Sequence, residues 1–155
     1  MKHIFLFLFI SISISANCQN FRYKHLNNRV WVYPIEKLYS FENKKEVYSS
    51  ITKDYTNFLF YDIFKKNLSK KSIELLKKKE NISTFKFYVD YQGKIIPVNF
   101  MLSKEIYDNI SEETIKNIYN ECLNLQMDIS KCSFSKSFSP NNFTIINIVI
   151  NKLFR

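Results

Sequence analysis

Residues able to do chemistry are few in this sequence of 155 residues, and their spacing matches no catalytic pattern. Its histidines are His3 and His25, and its cysteines are Cys18, Cys122 and Cys132. A Cys–His nucleophile needs the imidazole within reach of the thiol, and a zinc ion needs further ligands gathered around it. His25 has no Cys or Ser motif around it, and nothing near Cys122 and Cys132 adds ligands. Asp54, Asp62 and Asp90 form none of the carboxylate pairs on which general acid–base chemistry runs. Glu112 and Glu113 follow Ser111 and are explained by helix-start electrostatics. Gly93 is the only glycine, which rules out a glycine-rich phosphate loop. This inventory predicts a non-catalytic protein with no metal or cofactor. An enzyme of unrecognised type is the least favoured reading.

Charge and export offer more. The formal net charge is +9, from 23 Lys and Arg against 14 Asp and Glu. Such a balance can serve nucleic acid, anionic lipid or acidic polysaccharide. Here the lysines are scattered or helical in a chain crowded with Lys, Asn and Ile, so no nucleic-acid partner is expected. Residues 1–18, MKHIFLFLFISISISANC, have the build of a secretory signal peptide: a basic start at Lys2, a short apolar run, then small polar residues. Cleavage after Cys18 is preferred, a pattern that resembles signal peptides of Bacteroidetes. Cleavage after Ala16 and acylation of Cys18 as an outer-membrane lipoprotein are the alternatives, and the membrane enters only with that acylation. The expected location is periplasmic or secreted. Export leaves Cys122 and Cys132 as an even pair in a compartment that permits a disulfide between them, with two buried thiols as the competing reading.

The elements that would position these residues are read from periodicity. Residues 19–68 form an N-terminal extension, with a strand at 29–34 and a helix over 44–66. A short basic helix spans 69–80, with Ile73 and Leu76 inward and Lys77, Lys78 and Lys79 at its C-terminal end. In 84–102 two alternating runs flank Asp90-Tyr91-Gln92-Gly93, the pattern of a hairpin with Gly93 in the left-handed conformation. A helix follows over 111–125, capped by Ser111, and a β-branched strand lies at 142–151 with Ile146, Ile148 and Ile150 inward. The expected class is α+β: a three-stranded antiparallel sheet, from hairpin 84–102 and strand 142–151, packed on helices 69–80 and 111–125.

Phe85, Phe87, Val89, Asp90, Gly93, Lys94, Ile95, Val98 and Phe100 follow the wording of the TonB C-terminal domain family, which residues 69–155 resemble. The resemblance implies a sheet with the first hairpin strand at its centre and two open edges, 94–102 and 143–151. Pro97 blocks pairing on its own edge. Phe143, Ile145, Asn147 and Val149 are therefore the expected peptide-binding edge, and the expected function is capture of an envelope protein or peptide by strand addition. Binding of an anionic glycan or lipid through the Lys-rich helix ends is the alternative.

Overall fold

The computed structural model describes residues 20–36, 40 and 43–155, so the expected signal peptide and Cys18 lie outside the described residues. β1 (Phe21–Leu26) and β2 (Arg29–Pro34) pair as an antiparallel hairpin. Their turn is Asn27-Asn28, in which Asn27 takes a φ of 50°, a conformation that asparagine tolerates. The short strands β3 (Lys45–Glu46) and β4 (Ser49–Ile51) come next, then α1 (Lys53–Asn67) and α2 (Lys70–Lys77). β5 (Thr84–Asp90) and β6 (Ile95–Ser103) form the central hairpin, followed by α3 (Lys104–Tyr107) and α4 (Glu112–Leu123). β7 (Cys132–Phe134) and β8 (Asn142–Val149) complete the strands, and a 3₁₀ turn, Ile150–Phe154, ends the chain.

The class is α+β, but the main sheet has six strands in the order β1-β2-β6-β5-β8-β3, with β4 and β7 forming a separate pair. A three-stranded antiparallel sheet is thus the wrong architecture for this chain, and both of its expected open edges carry N-terminal strands. On one side β2 pairs with β6 from Arg29–Ser103 to Val32–Phe100. Pro97 does not prevent this, because the pairing stops at Phe100 before the proline is reached. Val30 and Val32 are fully buried, so β2 has an apolar face that continuing the sheet places over the core. On the other side β3 pairs with β8 in parallel, which makes the sheet mixed.

The helix expected over 44–66 begins only at Lys53. Thr52 is its N-cap, its hydroxyl accepting a hydrogen bond from the Tyr55 amide at 3.2 Å, and Asp54 sits in the first turn. Leu59, Phe60, Ile63 and Phe64 then face inward at helical spacing. Their target is the aromatic centre of the sheet. Phe85 stacks on Phe100 at 4.8 Å between ring centroids and meets Phe60 and Phe64 at 5.9 and 6.0 Å. Ring pairs at these separations add to the area they bury. Phe85→Ala is expected to lower stability by about 3–5 kcal/mol, because it empties the site where β5, β6 and α1 meet. Urea denaturation measures this, and a loss under about 1 kcal/mol would show that Phe85 is not central.

The β5–β6 turn is closed by its own aspartate. Asp90 Oδ1 accepts from the amides of Gln92 and Lys94, each at 2.9 Å, and Gly93 takes a φ of 82°. The turn docks on the segment after α4, where the Met127 amide donates to the Gly93 carbonyl at 2.7 Å. This contact fixes the path of the chain into β7 and so places β4, which pairs with it from Ser49–Phe134 to Ile51–Cys132.

Candidate functional site

β8 pairs with β5 in regular antiparallel register from Thr84–Val149 to Asp90–Phe143. In such a ladder, residues alternate between exchanging both backbone hydrogen bonds with the partner and turning both groups away. Two bonds settle the phase. The Ile150 amide donates to the Ser83 carbonyl on the β5 side at 2.9 Å, while the Phe143 carbonyl accepts from the Val47 amide on the β3 side at 2.8 Å. Even-numbered residues of β8 therefore bond to β5, and Ile145 and Asn147 turn their amides and carbonyls outward.

Of the four residues expected at the docking edge, Phe143 is covered by the chain itself. β3 reaches only Asn142 and Phe143, and the chain then leaves the sheet plane. Ser49 of β4 holds that exit point by a hydroxyl–hydroxyl hydrogen bond of 2.8 Å to Thr144. Beyond it, Ile145 to Val149 lines a groove of about 340 Å³. The opposite wall is Ser50 and Ile51 of β4 with Lys53, Thr56 and Asn57 of α1, and Lys152 and Leu153 close the far end. Sequence alone hides this wall, because the spacing over 44–66 predicts one continuous helix where the chain forms β3, β4 and then α1. The signal that would have found it is Thr52 followed by Asp54, a cap and an acidic first turn.

Two features of the groove matter chemically. Asn57 Oδ1 is buried in the wall with no hydrogen-bond partner, an acceptor that costs free energy until it is satisfied. Both charged residues in the lining are lysines, Lys53 and Lys152, and no carboxylate accompanies them. Lys53 Nζ donates to the Arg155 main-chain oxygen at 3.2 Å.

The opposite edge of the sheet is β1, which carries Arg22, Lys24 and His25. Charged side chains along an edge strand discourage further pairing. Ile145, Asn147 and Val149 carry no charge at all. The two edges are thus not equivalent.

Other residues singled out from sequence are dispersed. His25 lies edge-on to Tyr107 at 5.6 Å, and Tyr23 packs on the same ring at 5.7 Å. Burial, aided by the charge of Glu112, pushes the Tyr23 hydroxyl up to about 12. Cys122 and Cys132 are free thiols. Cys122 is completely buried on the inner face of α4, and burial pushes its thiol well above the ordinary range. Burial also raises Cys132, whose Sγ lies 3.4 Å from Met127 Sδ. Lys77 and Lys78 pair with Glu74 at 2.7 Å and Glu105 at 3.3 Å. Among the described residues, no group of three or more His, Cys, Asp or Glu could hold a metal ion. No helix among them is long and apolar enough to cross a membrane.

Fold and groove define a small α+β protein with a mixed sheet, one edge charged and the other left incomplete. No family model matches the chain, and no curated protein matches it. Among solved structures it is similar to a DUF5043 family protein from Bacteroides uniformis. The TM-score is 0.51 at 10% identity, covering 85% of this chain and 79% of that chain. At that identity the likeness is one of fold.

Proposed function

We propose that this chain is an exported, non-catalytic interaction module that takes an extended segment of an envelope protein as an added strand along Ile145–Val149. The observation that carries the reading is the outward-turned backbone of Ile145 and Asn147 beside a groove. Unpaired strand groups of this kind are the template on which an incoming peptide gains main-chain hydrogen bonds, with side-chain pockets supplying selectivity. The resemblance of Phe85–Phe100 to TonB C-terminal domains points the same way, and Met1–Cys18 supports export. Binding of anionic glycan or lipid at the Lys-rich end of α2 is the weaker reading, because Lys77 and Lys78 already neutralise Glu74 and Glu105.

A proline scan of β8 tests strand addition. Asn147→Pro removes an outward amide and leaves the bonds to β5 in place, so the fold is expected to survive. Ile148→Pro would remove an amide that β5 uses, and unfolding is expected instead. Capture from envelope extract by the tagged chain, read by mass spectrometry, is expected to lose its specific partner in Asn147→Pro. Unchanged capture by a folded Asn147→Pro chain would refute strand addition.

A further inference from the structure

We infer that the strand taken by this groove is acidic, an extended peptide whose carboxylates meet Lys53 and Lys152 while its alternate side chains lie against Ile51, Ile146, Ile148 and Leu153. This rests on the strand-addition reading and specifies the occupant. The first support is charge. Lys53 opens α1 and Lys152 lies in the 3₁₀ turn after β8, both lining the groove, and no Asp or Glu lines it with them. The described ion pairs of the chain leave both lysines out, and Lys53 Nζ uses one of its three donors on the Arg155 main-chain oxygen. A groove of one sign, in a chain of net charge +9, attracts the opposite sign and repels its own.

The second support is the form of the space. Successive side chains of an added strand point to opposite faces. Those on the inner side meet Ile51, Ile146, Ile148 and Leu153, which favours apolar residues at every second position. The residues between them are the ones free to carry carboxylates. A second copy of this chain fits less well, since its β8 offers no carboxylate between Asn142 and Val149.

The test uses two fluorescein-labelled hexapeptides, one alternating valine and aspartate and the other valine and lysine, titrated into the purified chain by fluorescence anisotropy. The aspartate peptide is expected to bind about tenfold tighter at low salt, as two partly exposed ion pairs would give. Added sodium chloride should narrow that margin. The double variant Lys53→Glu/Lys152→Glu is expected to reverse the preference. Equal binding of both peptides, each lost in Asn147→Pro, would overturn the acidic occupant and leave strand addition standing. Aspartate-peptide binding that survives Asn147→Pro would overturn both. Failure of both peptides to bind, with self-association in sedimentation that Asn147→Pro abolishes, would replace the acidic peptide by a second copy. Failure to bind without self-association would overturn the acidic occupant outright.

Discussion

Gly93→Ala is expected to lower stability by about 3–5 kcal/mol, through left-handed strain plus overpacking against backbone. The φ of 82° already disfavours any L side chain. The larger obstacle is space. A Cβ built on Gly93 would lie 1.9 Å from the Met127 carbonyl oxygen, and that atom belongs to backbone that cannot swing aside. Retreat of the Met127 segment would break the hydrogen bond from its amide to the Gly93 carbonyl and that from Gln126 Nε2 to the Gln92 carbonyl at 2.9 Å. Asparagine tolerates the left-handed conformation better than alanine, so the two substitutions separate the causes. Gly93→Asn is expected to be as damaging as Gly93→Ala, because the clash is common to both. Chemical denaturation of both variants decides it, and recovery in Gly93→Asn would show that dihedral strain dominates.

Asn151→Ala is expected to cost about 3–5 kcal/mol, since it strands several buried polar groups at once. Asn151 is 1% exposed at the start of the last turn. Its Nδ2 donates to the carbonyls of Leu76 and Asn81, and its Oδ1 accepts from the Ser83 amide at 2.8 Å. One side chain thus ties the end of α2, the approach to β5 and the end of β8. Ser83 extends the tie by accepting from the Ser103 amide at 3.1 Å. Asn151→Asp keeps the shape but puts an acceptor where two carbonyls need a donor, and no rescue is expected from it. A thermal melt that moves little in Asn151→Ala would mean that water satisfies these groups.

The hairpin β5–β6, α4 with its Ser111 cap, and the inward face of β8 were legible because each is written locally. Periods of two and of helical spacing, one glycine and one N-cap serine suffice to read them. The sheet's width was not legible, because strand neighbours depend on contacts between residues far apart in the chain. Val30 and Val32 mark β2 as a strand, yet nothing in their alternation names Leu102 and Phe100 as the residues opposite. β3 is harder still, since two residues, Lys45 and Glu46, carry no period at all. The docking edge was half readable. Alternation put Ile145, Asn147 and Val149 on one side of β8, but only the bonds of Phe143 and Ile150 reveal which backbone groups turn outward. Asn27-Asn28 is a usable turn signal between β1 and β2, since asparagine tolerates the left-handed φ found at Asn27.

The placement of β1 and β2 on one side of the sheet and of β3 on the other also bears on how the chain is made. β3 finds its place beside Asn142, a residue 97 positions further on. Closing a loop of that length costs about 4 kcal/mol of chain entropy, offset only once β8 is already seated on β5. During vectorial synthesis, Val30 and Val32 emerge early and lack cover until β6 arrives. The β1–β2 hairpin can form early, but its apolar face waits uncovered until β6 arrives, a period in which a holding chaperone would have the most to protect.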